Sequence, residues 1–173
     1  HRRVGQRCRW RGIRGTQKAG PIALLNRYRK ITSCNHVFWK SEFFEKNNRK
    51  HDIQNVIIPD DESELTREIQ NGLEAKVDII FTTGGTGIGP RDITPDVVQP
   101  MLDKEIPGIM ELIRVKYGME KPNALLSRGV AGVIDKSLVY TMPGSPKAIQ
   151  EYTHEIFKTM VHSLQMLHDI NAH

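Results

Sequence analysis

Gly84, Gly85, Gly87 and Gly89 fall within six residues of one another, and Asp92 follows three positions later. Glycines at this density let backbone amides converge on an anion, because a Cβ would block a phosphate and because such loops need φ > 0. Asp92 is the most informative residue. A carboxylate beside a phosphate is repelled unless a cation or a proton-transfer task accounts for it. The loop is not a P-loop, since no Gly-Lys-Ser/Thr ends it, and Gly-Gly-Thr-Gly-Ile-Gly lacks the spacing of a dinucleotide fingerprint. A glycine-rich turn after a buried strand is also a plain structural feature, so this loop alone does not decide a function.

The loop has to be held between a strand and a helix. Val77 to Phe81 is a short apolar run of the length of a buried strand. Thr94-Pro95-Asp96 starts a helix, with Thr94 as a cap and Pro95 at the first helical position, running to about Lys104. Two other turns have similar surroundings. Val56-Ile57-Ile58 reads as a strand ended by Pro59, and Asp61 with Glu64 forms a capping-box-like start for a helix carrying Leu65, Ile69 and Leu73 on one face. Asp61 as the cap leaves Asp60 at a strand end with no structural task. Leu138 to Met142 runs into Pro143-Gly144-Ser145-Pro146, again strand, glycine turn and helix, with Ser145 as cap and Pro146 first.

The final helix places Ile149, Tyr152, Ile156, Met160, Leu164 and Leu167 on one stripe that packs on the core or on another subunit. Between these landmarks, Ile106-Pro107-Gly108 breaks the chain, Ile109 to Tyr117 is helical, and Ala124 to Gly129 is a turn. Val130 to Ile134 and Ser137 to Met142 make a hairpin about Asp135-Lys136. Strands alternating with helices predict an α/β layer fold with a mainly parallel sheet plus a hairpin. Ligands in such sheets bind at the carboxyl ends of strands. Asp60, the 84–92 loop and Pro143 to Pro146 all fall there, on one sheet edge.

A length of 173 residues suits one domain with a full core. No apolar run approaches the roughly 18 to 20 residues of a membrane span, and the start lacks the apolar segment of a secretory signal. Cys8 and Cys34 fit no metal spacing and no disulfide framework, which suits a reducing cytoplasm. Charge is uneven. Residues 1–50 hold 14 Lys and Arg against 2 Asp and Glu, whereas the whole chain is only +5. Residues 1–19 are Arg-rich with neither strand nor helix period, and little packed structure is expected there. Pro21 to Tyr28 reads as a short helix with Ile22 and Leu25 on one face, and residues 29–52 as a loop or insertion. A domain over residues 20–173 behind an atypical segment 1–19 is the resulting organisation.

The stretches 82–95 (T-T-G-G-T-G-I-G-P-R-D-I-T-P), 58–61 (I-P-D-D), 126–132 (L-S-R-G-V-A-G) and 142–146 (M-P-G-S-P) resemble, in order and spacing, the molybdopterin-binding fold. The match is to its molybdopterin adenylyltransferase branch, the Mog-type proteins and gephyrin G domains, over roughly residues 55–170. The resemblance implies a three-layer α/β/α domain, usually a homotrimer. It also implies transfer of AMP from Mg-ATP to the terminal phosphate of molybdopterin, before a downstream molybdenum-insertion protein takes the product. Position by position it implies a pterin-phosphate loop at Thr83, Gly84, Gly85, Thr86 and Gly87, and a loop aspartate needed for activity at Asp92. Asp60 matches an aspartate needed for adenylyl transfer and a magnesium contact. Ser127 and Arg128 match the Leu-Ser-Arg turn, and Pro143, Gly144, Ser145 and Pro146 the second turn. Joining two polyanions suits a metal and amide donors that offset charge on the transferred phosphoryl group.

The N-terminus departs from that pattern. The family's first strand ends in a Thr-Val-Ser-Asp-like motif, absent from residues 1–19, and Gln17-Lys18-Ala19-Gly20-Pro21 replaces an Asp-Arg-Ser-Gly-Pro segment. A first strand is therefore expected to be missing. Two other functions follow from these departures. One is a non-catalytic molybdopterin-binding module with an impaired nucleotide site. The other is nucleic-acid binding through the basic N-terminal segment, which is physically allowed by phosphate neutralisation but has no recognition motif behind it.

Overall fold

The computed structural model describes the backbone of residues 22–27 and 53–168, and side chains from residue 55 to 168. Six strands form one sheet: β1 (Ile22–Arg27), β2 (Ile53–Ile58), β3 (Ile79–Thr83), β4 (Lys104–Glu105), β5 (Ala131–Ile134) and β6 (Ser137–Met142), in the order β2-β1-β3-β6-β5-β4. β1, β2, β3 and β6 run parallel, and β4 and β5 add an antiparallel edge. Among the described residues four α-helices accompany them: α1 (Glu62–Glu74), α2 (Thr94–Val98), α3 (Pro107–Gly118) and α4 (Pro146–Leu167).

The two faces of the sheet carry separate cores, which makes the fold three-layered. Side chains alternate across a strand. Ile79 and Phe81 of β3, with Leu138, Tyr140 and Met142 of β6, pack against Met110 and Ile113 of α3 and Ile149, Tyr152, Ile156 and Met160 of α4. Ile80 and Val139 point the other way, onto Leu65 and Ile69 of α1 and Val98 of α2. Phe81 and Tyr140 are cross-strand neighbours whose rings stack with centroids 5.4 Å apart. β3 and β6 are buried at every position, as interior parallel strands between two helical layers must be.

The structure corrects four expectations. Pro21 to Tyr28 was expected to be a short helix and the sheet to lack a first strand; Ile22–Arg27 instead forms β1, between β2 and β3 and parallel to both. A short apolar run such as Ile-Ala-Leu-Leu fits a buried strand and a helix equally by periodicity, and the open place in the sheet decides between them. The helix from Pro95 ends at Val98 and not near Lys104, because Pro100 removes an N–H and its ring crowds the carbonyl four residues back. Gln99–Met101 tightens to a 3-10 turn and the chain goes into β4. β3 begins two residues later than expected. Val77 still closes the turn after α1, its N–H donating to Gly72 O at 3.1 Å, next to Lys76 at φ 54°. Thr94 does not cap; it is the first residue of α2.

Asp61 caps α1 as its spacing predicts, accepting from Glu64 N at 3.0 Å. The hairpin closes over Asp135 and Lys136. The expectations for residues 1–19 and 29–52, with Cys8 and Cys34, lie outside the described residues. Among the described residues no helix is long and apolar enough to cross a membrane.

Candidate functional site

The carboxyl ends of β3 and β6 are adjacent, and each runs into a glycine turn. Gly84 N donates to Met142 O at 2.8 Å, which carries the pairing with β6 one residue beyond β3. Gly84 and Gly85 then take φ of 93° and 64°, left-handed values that let the chain fold back sharply over the strand end. A Cβ on Gly144 would lie 3.4 Å from Gly84 Cα, so the two turns touch. Thr94 pins the far end of the loop: its hydroxyl donates to Gly84 O at 3.0 Å and its N–H to Gly85 O at 3.1 Å. The hydroxyl expected to cap α2 is thus used to close the loop that precedes it.

Between the two turns lies a cleft of about 450 Å³. Gly85, Thr86, Gly87 and Asp92 form one wall, Ser127 a second, and Pro143, Gly144 and Ser145 a third. Three segments separated by tens of residues in sequence therefore meet; the 84–92 loop and the 143–146 turn are two of the three strand-end segments read from the sequence, and the 126–128 turn stands where Asp60 was expected. Ser145 occupies the N-cap position of α4 without making a side-chain cap bond, and it faces the cleft. The first turn of α4 has no acidic residue. A helix start favours anions, and an acid there normally supplies one. Lys147 lines the cleft in this same turn, with no carboxylate paired to it among the described residues.

Asp92 folds back under its own loop. Its Oδ2 accepts from Gly89 N at 2.9 Å, and its N–H donates to Gly89 O at 2.9 Å. Asp92 lines the cleft, and its Oδ1 has no hydrogen-bond partner among the described residues. Ser127 sits at the centre of a hydroxyl cluster. Tyr152 Oη donates to Ser127 Oγ at 2.9 Å, and Ser127 Oγ donates to Thr86 Oγ1 at 3.4 Å. Burial pushes the Tyr152 phenol above its ordinary pKa, so it stays protonated and donating.

Five expected residues do not line the cleft: Thr83, Gly84, Asp60, Arg128 and Pro146. Thr83 ends β3 and is buried behind the loop, and Pro146 opens α4. Asp60 follows β2, two strand positions from β3 and so about 10 Å across the sheet. Arg128 is tied to the glycine loop and to Asp96. Its Nε donates to Gly87 O at 2.8 Å, its Nη2 to Asp92 O, and its fork to the Asp96 carboxylate, while its own N–H donates to Thr86 O at 2.7 Å. It braces the glycine loop, with four of its five N–H donors committed to the loop carbonyls and Asp96. Its hydrogen bonds also hold the Asp96 carboxyl below the ordinary range.

Sequence reasoning missed Tyr117, Lys121, Asn123, Lys147, Glu151 and Tyr152 on the opposite wall. Lys121 pairs with Glu151 across α3 and α4. Tyr117 Oη donates to Glu155 Oε1 at 3.1 Å, and burial first, then the glutamates around it, push its phenol up to about 12. Lys147 alone had a signal, a cation directly after a Ser-Pro helix start. Among the described residues no three His, Cys, Asp or Glu side chains gather as a ready metal site.

Residues 29–163 match the model of a family described as a probable molybdopterin binding domain. The chain belongs to that family. Molybdopterin-binding-domain relatives agree in sequence and in fold. The chain is 38% identical over 115 residues to Molybdenum cofactor biosynthesis protein B of Staphylococcus aureus (strain Mu50), covering 65% of this chain and 68% of that one. Gephyrin of Dictyostelium discoideum is 36% identical over 112 residues, which are 64% of this chain and 16% of gephyrin. The molybdopterin biosynthesis Mog protein of Mycobacterium ulcerans superposes with a TM-score of 0.76 at 28% identity, over 86% of this chain and 99% of the other. The molybdopterin-binding domain here is thus one of the molybdenum cofactor biosynthesis group, with the three-layer fold of the Mog structures.

Proposed function

We propose that the cleft binds molybdopterin and ATP together and transfers AMP to the pterin's terminal phosphate. The observation that carries this reading is Asp92: a carboxylate with an open oxygen on the wall of a cleft otherwise furnished for anions. Simple phosphate storage gives a carboxylate no task there, whereas joining two phosphates does. In the proposed step a phosphate oxygen of molybdopterin attacks the α-phosphorus of ATP. The new P–O bond forms as the bond to pyrophosphate breaks, and pyrophosphate leaves with the electron pair.

Glycine-loop amides, Ser127, Ser145 and Lys147 are the chain's own means of offsetting the charge that gathers on the transferred group. Magnesium fits the donor set, since it is held by one or two carboxylates and completes its shell with substrate phosphates and water. Asp92 Oδ1 is the oxygen suited to it, and the ion would neutralise phosphate charge. Asp60 enters this reading as a contact to the distal part of the nucleotide. A cytoplasmic homotrimer that hands adenylylated molybdopterin to a molybdenum-insertion protein completes the proposal, with residues 20–173 as its domain.

A second reading is a molybdopterin-binding module without transferase activity. The placement of Asp60 about two strand spacings from β3 favours it. One experiment separates the two: purified chain with Mg-ATP and molybdopterin, beside Asp92→Asn. Adenylylated pterin from the parent chain, with at least a tenfold drop in the variant, supports transfer. A folded chain that binds molybdopterin and gives no product supports the binding module.

A further inference from the structure

We infer that Tyr152 is a positioning residue that fixes Ser127 as a hydrogen-bond donor, so that this point of the cleft accepts only an acceptor oxygen such as a phosphate's. The inference rests on the cleft being a phosphate-ligand site, as proposed above. A serine hydroxyl has two lone pairs and one proton. Ser127 Oγ already accepts from Tyr152 Oη at 2.9 Å and from Gly129 N at 3.4 Å. Both lone pairs are occupied by donors. The remaining proton has one direction left, along the cleft wall toward Thr86 Oγ1 at 3.4 Å, a long bond that a better acceptor displaces.

The surroundings hold this arrangement. Tyr152 is 4% exposed, and its ring lies in the core between β6 and α4, so its hydroxyl cannot swing away. Arg114 Nη1 donates to Gly129 O at 3.0 Å and fixes the Ser127–Gly129 turn from the other side. A buried phenol cannot readily take the Ser127 proton, because burial disfavours its charged form. Nor does a base contact Ser127 Oγ among the described residues. The serine is therefore neither nucleophile nor proton acceptor, and its contribution is a directed O–H. A ligand group that can only donate, such as an ammonium, finds no free lone pair on Ser127.

The test is a double-mutant cycle read by calorimetric binding of two probes, molybdopterin under anaerobic conditions and inorganic pyrophosphate. The variants are Tyr152→Phe, Ser127→Ala and the pair. Tyr152→Phe keeps the ring in the core, and circular dichroism and melting confirm the fold. A directed donor predicts that Ser127→Ala weakens binding about tenfold or more and Tyr152→Phe about three- to tenfold. The pair should be no weaker than Ser127→Ala alone, because Tyr152 acts only through the serine. Ser127→Cys, a much weaker donor of similar shape, should behave as the alanine does.

Additive losses, or a Tyr152→Phe affinity equal to the parent's for both probes, overturn the inference while leaving molybdopterin binding intact. Pyrophosphate binding with the predicted coupling but no molybdopterin binding sinks the proposed function and keeps the inference. A folded parent chain that binds neither probe overturns both.

Discussion

Arg128 grips Asp96 with two parallel hydrogen bonds, Nη1 to Oδ1 at 2.7 Å and Nη2 to Oδ2 at 3.0 Å, while its Nε reaches Gly87 O at 2.8 Å. The ion pair itself is exposed on both sides and contributes little. Its value is in aiming the guanidinium at the loop carbonyls.

Arg128→Lys keeps the charge and loses the fork. It should cost about 1–2 kcal/mol of stability through the carbonyl bonds to Gly87 and Asp92. Amide exchange across residues 85–92 should quicken more than in β3 or β6. Unchanged exchange in that loop would show that Arg128 does not brace it.

Gly87→Ala tests the seat of Asp92. A Cβ at Gly87 would lie 2.7 Å from Asp92 Oδ2, closer than real contacts allow, so the carboxylate has to leave its bond to Gly89 N. The expected outcome is a tenfold or greater loss of AMP transfer, with stability changed by only about 1–2 kcal/mol. Parallel assays of turnover and melting check this. Full activity in a folded variant would mean that the observed seat of Asp92 is irrelevant to the chemistry.

Glu155 makes stability depend on acid pH. It is almost fully buried, and burial alone would raise its pKa. Hydrogen bonds from Lys116 at 2.7 Å, Lys158 at 2.6 Å and Tyr117 outweigh that and bring it down to about 2, from an ordinary 4.5. A carboxyl with a lowered folded pKa binds protons more readily when unfolded. Its stabilisation is therefore complete above about pH 4.5 and is lost as pH falls toward 2. The lysines are half exposed, so screening reduces the effect to about 1–2 kcal/mol. Urea unfolding of the parent and Glu155→Gln should differ by that amount at pH 6 and converge near pH 2. A gap that persists at pH 2 would refute the linkage.

Tyr140→Phe should leave stability unchanged or raise it by about 0.5–2 kcal/mol. The Tyr140 hydroxyl is buried with no hydrogen-bond partner among the described residues, so removing it deletes a desolvation cost. The ring stacking on Phe81 remains. A lowered melting temperature would mean that the hydroxyl has a partner in solution.

Local chemistry made the site's main walls legible in the sequence. The glycine loop and the Pro-Gly-Ser-Pro turn each follow a parallel strand, and strand ends of a parallel sheet share one edge; the Leu-Ser-Arg turn was legible only through the family resemblance. Asp61 and the hairpin about Asp135-Lys136 were legible for the same reason, since caps and two-residue turns are decided by neighbours. β1 was not, because Ile22–Arg27 is a strand only by virtue of the place between β2 and β3. Nor was the role of Arg128, whose partners Gly87 and Asp96 lie 41 and 32 residues away. Tyr152 read as one more core residue on the α4 stripe. It is that, but only the hydroxyl at the ring's tip enters the cleft, and periodicity reports rings, not tips.

β6 enters the sheet between β3 and β5, so β3 has one open edge until residues 137–142 exist. On a ribosome the chain is made from the N-terminal side, and β3 and its glycine loop emerge some fifty residues ahead of the strand that completes them. Loop closure across such a separation is slow relative to local helix formation. The nascent molecule therefore presents an apolar, unpaired strand edge during synthesis, a template for association with another chain. Ligand competence should arrive in a single late step, together with β6 and the start of α4. Pulse-labelled amide exchange during refolding tests this: protection of Gly84 N–H should rise at the same rate as that of β6, and earlier protection would refute it.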